Sequence, residues 1–198
     1  MSDFRAFADS KDLEKITAFL ENGLYISNTM LVMELDLENF LFTKDAAESV
    51  EKEAECPKST LRQQDFEIGC YDTWELDEYL SCHKKCFGEL SIPEQIEEQL
   101  QNINSSIFAL RIEGELISSV MTWDIDENII ATENVFTVRK FQGRGYGTAI
   151  LSKVLADFAA EGKKKARLTV YGDDNAAVSL YLKMGYKITK VLQEFSYE

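Results

Sequence analysis

Apolar residues recur along the chain at two spacings, and these spacings predict helices and strands. In the first 65 residues, a helical period over 13–20 follows the cap candidates Asp9 and Ser10 and ends at Gly23. The apolar run within 28–36 predicts a strand. Residues 44–55 predict a polar helix, and the polar stretch 56–64 predicts a linker. The chain therefore opens with a short α/β segment that a linker separates from the remaining two thirds of the sequence.

A longer series of elements comes after the linker. Strands are predicted over 66–71, 106–112, 116–123, 129–138, 166–171 and 186–197, and helices over 73–87, after Ser91, from Gly147 to Gly162 and from Asn175 to Met184. The spacing of Ser91 and Glu94 is that of a capping box. The order predicts an α/β or α+β fold with a mixed sheet, divided into an N-terminal α/β extension over 1–65 and a domain over 66–198.

Charge is unevenly distributed along the chain. The net charge of −14 divides into −7 over residues 1–65, −12 over 66–138 and +5 over 139–198. An acidic body argues against nucleic acid as a partner, because phosphate binding needs a positive field. The basic last third favours a small anionic ligand, and the acidic remainder favours a cationic second ligand. A solvated surface without a ligand is the alternative that the charges leave open.

Apolar runs are short throughout the sequence. The run 30–33 falls far below the roughly 18 to 20 residues that a membrane-spanning helix needs. The first residues include acids and form no apolar signal region. These features predict a cytoplasmic protein with no membrane partner.

The four cysteines do not predict a metal centre. Cys82 and Cys86 flank His83, with Cys70 upstream, but this spacing is not that of a standard zinc site. Reduced, half-buried thiols and no metal are therefore expected. His83 is the only histidine, and we assign it no role, because a lone helical histidine is more often a surface or packing residue.

The clearest chemical signal is the sequence Gln142-Gly143-Arg144-Gly145-Tyr146-Gly147, between a predicted strand and a predicted helix. Glycine permits positive φ and a close approach of the backbone to a ligand. N–H groups at a helix start lack intrahelical partners and lie at the positive end of the helix dipole, so they suit phosphate oxygens. The spacing fits neither a Rossmann nor a Walker fingerprint. Taken alone, the glycines are also compatible with a purely structural turn.

A second motif makes the first more specific. The pattern Gln-x-x-Gly-x-Gly after a strand resembles the acetyl-CoA-binding motif of the GNAT N-acetyltransferase superfamily. Residues 174–186, with Leu180-Tyr181-Leu182-Lys183-Met184-Gly185-Tyr186, look like the second motif of that family. The resemblance covers residues 66–198 and implies a mixed, mostly antiparallel twisted sheet flanked by helices.

The resemblance also implies a cofactor site for acetyl-CoA as co-substrate. Main-chain N–H groups from Gly143 to Thr148, among them those of Arg144, Gly145, Tyr146 and Gly147, would hold the CoA pyrophosphate, with Gln142 at the family's Arg/Gln position. Phe136, Thr137 and Val138 would present backbone groups to the pantetheine and the thioester carbonyl, and Asn175 would touch the pantetheine arm. Arg139, Lys140 and Arg144 are candidate partners of the 3′-phosphate.

Two side chains are catalytic candidates. Tyr181 matches the family tyrosine that protonates the departing CoA thiolate, although core packing alone would also explain a tyrosine there. Glu133 lies near where some family members keep a glutamate base. Strict alternation would place Glu133 on the opposite face from Asn134, Phe136 and Val138. The alternatives are that Glu133 is a solvated strand residue, or that a chain of waters serves in place of a side-chain base.

The first 65 residues resemble the end of such a domain. Residues 19–25 and 30–37 look like the helix, glycine-aromatic turn and last strand of a GNAT fold, so our hypothesis is that 1–65 are a degenerate partial copy. Its strand would then cover an open sheet edge of its own chain or of a homodimer partner.

The resulting hypothesis is an N-acetyltransferase. It would move an acetyl group from acetyl-CoA to a primary amine of a small-molecule or peptide acceptor, expected to be cationic, by direct attack in a ternary complex. The alternative is a non-catalytic module on the same fold that binds CoA or another protein. The sequence does not identify the acceptor.

Overall fold

The computed structural model describes residues 5–40, 66–70, 76–88, 91–101 and 104–197. The predicted helix over 44–55, the predicted linker over 56–64 and Cys56 lie outside these ranges. In chain order the elements are β1 (Ala6–Asp9), α1 (Leu13–Glu21), β2 (Tyr25–Asp36), β3 (Glu67–Cys70), α2 (Leu76–Phe87), α3 (Pro93–Leu100), β4 (Ser106–Ile112), β5 (Glu115–Asp124), β6 (Ile129–Thr137), a short 3-10 helix (Arg139–Phe141), α4 (Tyr146–Ala160), β7 (Lys165–Tyr171), α5 (Asn175–Lys183) and β8 (Lys187–Ser196).

These elements form two compact units. The central unit comprises Asp36–Ala166, and the terminal unit combines Met1–Leu35 with Arg167–Glu198. In the central unit, adjacent strands pair antiparallel in the order β6-β5-β4-β3. In the terminal unit the order is β1-β8-β2-β7, and β8 is antiparallel to both β1 and β2. The predicted mixed fold with mostly antiparallel strands and flanking helices is confirmed.

Helices cover both faces of the sheet in the central unit. Ile107 belongs to a cluster that includes Tyr79 of α2 and Ile96 of α3. The next residue of β4, Phe108, contacts Phe158 of α4 edge-to-face, with ring centroids 6.0 Å apart. Because neighbouring residues of a strand point to opposite faces, α2 and α3 lie on one face and α4 on the other.

The terminal unit is built around β8. Phe195 is fully buried and packs edge-to-face on Phe19 of α1, with centroids 5.1 Å apart. Glu194 is also buried, where its carboxylate accepts a hydrogen bond from Asn28 Nδ2 (2.7 Å) and pairs with Arg5 (3.2 Å). A buried carboxylate needs such partners because desolvation of the charge is costly. These contacts hold β8 to the strand on each side of it.

The N-terminal strand pairs within its own chain. β2 pairs with β8 from Tyr25↔Ser196 to Glu34↔Lys187, and its other neighbour is β7. On that side, Gly172 N–H donates to Thr29 C=O (2.8 Å). β2 therefore pairs within its own chain. The expectation that it covers an open sheet edge is wrong, because β2 lies between β8 and β7 and the strand on the outer side of β8 is β1. The division at residue 65, the origin of 1–65 as a partial copy and the possible homodimer stay predictions.

Three local expectations differ from the structure. α1 begins after Asp12, whose side chain accepts from Lys15 N–H, and not after Asp9 or Ser10. β1 is absent from the predicted elements, because four residues next to a helix give too short a pattern. The capping box at Ser91 is wrong. Ile92 is the N-cap of α3, which has no side-chain cap, and the Ser91 hydroxyl bonds to His83 at 2.7 Å instead.

Deleting residues 1–36 should disrupt the terminal unit. The deletion removes both described strand partners of β8, so we expect loss of a cooperative thermal transition or aggregation, measured by circular dichroism and gel filtration. Deleting residues 1–10 is the matched control, because it removes β1 but leaves β2 in place. A monomeric, stable protein after the longer deletion would contradict the prediction.

Candidate active site

The glycine-rich loop holds a series of main-chain N–H groups that have no acceptor in the part of the protein that the structure describes. Gly143 and Gly145 adopt φ of 73° and 88°, a left-handed region that favours glycine. Gly145 is the N-cap of α4 and offers no side-chain acceptor. Within the described residues, the six amides from Gly143 to Thr148 donate to no protein group, and the first bond back to the loop runs from Ala149 N–H to Gly145 C=O (2.9 Å).

These amides lie where a helix favours an anion. α4 spans 15 residues, so its dipole places partial positive charge at the same end as the loop. A Cβ built on Gly143 meets no atom within 4 Å, so open space adjoins the loop. The arrangement matches the chemistry of a pyrophosphate, which offers several acceptor oxygens and negative charge.

The side chains of the loop have different surroundings. Gln142 Nε2 donates to Thr137 C=O (3.0 Å), which ties the loop to the end of β6. The Tyr146 side chain is buried and contacts Phe141 edge-to-face, so this residue offers the loop only its main chain. Lys140 pairs with Glu115 (2.5 Å), and Arg144 lies over the Phe141 ring. Lys140 therefore has a carboxylate partner, and both side chains of this pair are exposed to solvent.

The end of β6 presents one main-chain N–H away from its neighbour β5. Val138 N–H donates to Ile117 C=O (2.9 Å), and Phe136 C=O accepts from Ser118 Oγ (2.6 Å). Since successive residues of a strand direct their amides to opposite sides, Thr137 N–H points away from β5. Of the three residues expected to face the thioester, Val138 cannot donate its N–H there, and Thr137 has the suitable direction.

A β-bulge interrupts β6 just before this segment. Ser119 pairs with Phe136 but Met121 pairs with Glu133, so two residues of β6 oppose Val120. Asn134, inside the bulge, has a φ of 49°. Residues paired across two strands lie on the same face of the sheet, and Ser119 and Met121, two residues apart on β5, also lie on one face. Their partners Phe136 and Glu133 therefore lie on that face as well. The expectation that alternation separates them is wrong, because the extra residue resets the alternation.

Two predicted site residues belong to the terminal unit. Asp174 caps α5, and its carboxylate accepts from Ala177 N–H (3.0 Å). Asn175 comes next, as the exposed first residue of the helix. Tyr181 is buried, with its ring 5.7 Å from that of Tyr186. The predicted cap and helix thus form, and the remaining predicted site residues, 133–148, lie in the central unit.

A cleft of about 610 Å³ adjoins the residues that precede the loop. Its lining is shared by α2, the start of β5 and residues 138–140: Glu78, Ser81, Cys82, Lys85, Cys86, Glu115, Leu116, Val138, Arg139 and Lys140. Burial raises the pKa of the Cys82 thiol, with a further contribution from the Glu78 charge, and burial also raises the pKa of Cys86. Both side chains are therefore neutral thiols near pH 7.

The described ranges contain neither a metal-binding group nor a membrane-spanning helix. Across them, no three or more His, Cys, Asp or Glu side chains are grouped so as to hold a metal ion. None of the helices in those ranges is both long and apolar enough to cross a membrane.

Sequence reasoning missed one residue near the bulge. His83 is buried, and its ring lies 6.0 Å from that of Phe136. A lone histidine on a helix gives no signal of its own, and the bulge that it faces arises from backbone geometry. The one available signal is Asn134, a residue that tolerates positive φ inside a strand of β-branched residues.

The family model described as "Acetyltransferase (GNAT) family" matches residues 71–186. This chain belongs to the GNAT acetyltransferase family. The resemblance seen in the two sequence motifs is thereby confirmed, and N-acetylation of an amine is the general reaction of this family.

Individual relatives agree with the GNAT assignment. A curated acetyltransferase from Sodalis glossinidius (strain morsitans) is 26% identical over 126 residues, covering 62% of this chain and 88% of the relative. The solved GCN5-related N-acetyltransferase from Kribbella flavida has a TM-score of 0.66 at 13% identity, over 98% of this chain and 68% of that one. AAC(6')-Iy, solved with the bisubstrate analogue CoA-S-monomethyl-acetylneamine, has a TM-score of 0.54 at 15% identity, over 63% of this chain and 92% of that one. The likeness to the two solved structures concerns the fold.

Substituting Gly143 by Ala should weaken acetyl-CoA binding at least about tenfold, because positive φ strains the loop and the added methyl enters the space beside its amides. Gly162→Ala is the matched control, since Gly162 has a φ of 96° and equally open surroundings beyond the other end of α4. Calorimetric titration measures affinity, and thermal unfolding shows whether both variants lose similar stability. Equal affinities of the two variants would contradict the site.

Proposed function

We propose that this GNAT protein transfers an acetyl group from acetyl-CoA to a primary amine of a cationic acceptor, by direct attack in a ternary complex. The observation that carries the proposal is the loop at Gly143–Thr148, whose six amides have no acceptor within the described part of the protein. Such amides are left without compensation unless water or an anionic ligand accepts from them. The CoA pyrophosphate would be that ligand.

The acyl group would be activated by the strand that leads into the loop. Thr137 N–H, which points away from β5, would donate to the thioester carbonyl and stabilise the oxyanion that forms on attack. Gln142 supports this role, because its bond to Thr137 C=O holds the same peptide segment. Asn175, exposed at the start of α5, would bind the pantetheine arm.

Two side chains would carry out the proton transfers. Tyr181 would protonate the departing CoA thiolate, in the position that the family motif gives it. Glu133 would accept a proton from the acceptor nitrogen, either from the ammonium before attack or from the amine as it attacks, directly or through water. This role is supported by the bulge, which puts Glu133 on the same face of β6 as Phe136.

No thiol is proposed as an acyl carrier. Cys82 and Cys86 line the cleft, but burial raises the pKa of each, and a neutral thiol is a poor nucleophile. These raised pKa values support direct attack of the amine over a covalent acyl-cysteine step.

The acceptor is proposed to be cationic because the segment 66–138 is strongly acidic. Residues 66–138 carry a net charge of −12, and α3 contributes Glu94, Glu97 and Glu98 without a basic residue. A negative field of this kind raises the local concentration of cationic amines. The amine-derived analogue bound by AAC(6')-Iy, a structural neighbour, is compatible with this class of acceptor.

Amine-dependent release of CoA from acetyl-CoA should be measurable by a thiol assay across polyamines, aminoglycosides and lysine peptides, with neutral and acidic amines as controls. We expect cationic amines to give the highest kcat/KM, with an advantage that shrinks as salt screens the field. Tight acetyl-CoA binding without turnover of any amine would favour the non-catalytic alternative. Absence of acetyl-CoA binding would overturn the proposal altogether.

Substituting Tyr181 by Phe should lower kcat about a hundredfold, while acetyl-CoA affinity stays within about twofold, because only the acid is removed. Tyr186→Phe is the matched control, since it removes a hydroxyl from the neighbouring buried ring. Steady-state kinetics and calorimetry separate the two effects. Unchanged turnover in Tyr181→Phe would leave this tyrosine a packing role only.

A further inference from the structure

His83 is a buried polar side chain in an aromatic environment. Its side chain is 3% exposed, and its ring lies 4.3 Å from that of Phe87 and 5.7 Å from that of Tyr79. A third ring, Phe136, approaches edge-on at 6.0 Å. Apolar packing alone would be satisfied by a phenylalanine, so the two ring nitrogens need an explanation of their own.

The two nitrogens have different partners. Nδ1 lies 2.7 Å from Ser91 Oγ, just before α3. Nε2 forms no hydrogen bond within the described residues. The Asn134 side chain is close enough to the ring to raise the pKa of His83. Asn134 Nδ2 donates to Met121 Sδ (3.5 Å), so Oδ1 is the atom of this amide that can accept from the imidazole.

The His83 ring lies against the segment of β6 that contains the bulge. Asn134 is the bulge residue with positive φ, and it lies between Glu133 and the segment that ends at Thr137. The direction of the Thr137 N–H and the placement of Glu133 both depend on how this bulge is held. Phe136, inside the same segment, is in direct contact with the His83 ring.

We propose that His83 is a positioning residue for acyl transfer: Ser91 orients its neutral imidazole, and the Nε2 side of the ring supports the Asn134 bulge that aligns Glu133 and Thr137. The inference rests on the proposed function. In this arrangement the Ser91 hydroxyl donates to Nδ1, and the proton resides on Nε2, facing the amide oxygen of Asn134.

The environment keeps the imidazole neutral. Burial lowers the pKa of His83, and the Asn134 amide offsets only part of this effect. The titratable neighbours on α2 are Tyr79, Cys82 and Cys86, and the adjacent Lys84 and Lys85 are exposed. On β6, Glu133 lies beside Asn134. None of these charged groups contributes to the lowered pKa of His83.

Because His83 is the only histidine, its protonation can be observed directly. Protein made without added histidines, labelled with ¹⁵N-histidine, should give a single imidazole in NMR spectra. We expect a neutral ring at pH 7 with the proton on Nε2, and a pKa below the usual value of about 6.5. A ring that carries its proton on Nδ1, or that is charged at pH 7, would overturn the proposed orientation.

The lowered pKa of His83 should also make the free energy of unfolding decrease as the pH falls. As the pH falls below about 6.5, histidine in the unfolded chain takes up a proton before buried His83 does, so the free energy of unfolding decreases until the pH reaches the folded-state pKa. Chemical denaturation of wild type and His83→Phe across this range should show that this part of the decrease is absent from the variant. An identical decrease in both would contradict the lowered pKa.

Kinetics test whether the residue positions the reaction. His83→Phe should lower kcat about tenfold or more while changing acetyl-CoA affinity less than about twofold, since a small misplacement of reacting groups costs rate more than binding. His83→Gln, whose amide can reach toward Asn134, should restore part of kcat, and Ser91→Ala should give an intermediate loss. Asp77→Asn, on an exposed position of α2 outside the cleft, is the control expected to match wild type.

The outcomes for His83 and for the proposed function are distinguishable. An active wild type with unchanged kcat in His83→Phe contradicts only the role of His83. A wild type that binds acetyl-CoA but acetylates no amine contradicts the proposed function and the positioning role with it. Equal losses in His83→Phe and His83→Gln, together with lowered melting temperatures, would reduce His83 to a packing residue.

Discussion

The start of α4 imposes the constraint on which the proposed chemistry depends. Six consecutive main-chain N–H groups, which have no acceptor among the described residues, must stay available to a ligand, and an ordinary side-chain cap would prevent this. Glycine at 145 serves as the N-cap and meets this constraint by omitting the capping side chain. Glycine at 143 meets it by turning the backbone into the left-handed region. The loop therefore lacks a side-chain cap, and its amides stay accessible to an anion.

The strand before the loop shows a similar compromise between regular pairing and chemistry. β6 pairs regularly with β5 at both ends, but the bulge at Asn134 places two residues opposite one. This irregularity is what brings Glu133 and Phe136 to the same face of the strand. Around it, α2 and α3 supply apolar and aromatic side chains and one polar side chain, His83, so the irregular segment is enclosed by packing. The geometry of β6 is thus set jointly by the sheet and the helices.

Elements with local signals are the ones that can be predicted from the amino-acid sequence. Periodicity locates the helices α1, α2 and α5, and the glycines at 143 and 145 mark the start of α4. The bulge cannot be predicted in this way, because one extra residue changes every subsequent face and strict alternation does not allow for it. The bond between Ser91 and His83 escapes prediction for a related reason. His83 lies on α2 and Ser91 precedes α3, and only the packing of the two elements shows that the serine bonds to the histidine and does not cap α3.

The position of β2 has a consequence for how the protein folds during synthesis. Asn28 bonds to Glu194, 166 residues further along the chain, so β2 cannot acquire its β8 partner until nearly all of this sequence has left the ribosome. Contacts of such long sequence separation slow folding because the intervening chain must be ordered first. Until then the apolar residues of β2 remain without their strand partner, which makes the nascent polypeptide a candidate for chaperone protection. In the central unit, β4 pairs with β5 and β5 with β6 across short connections, so these strands can pair earlier.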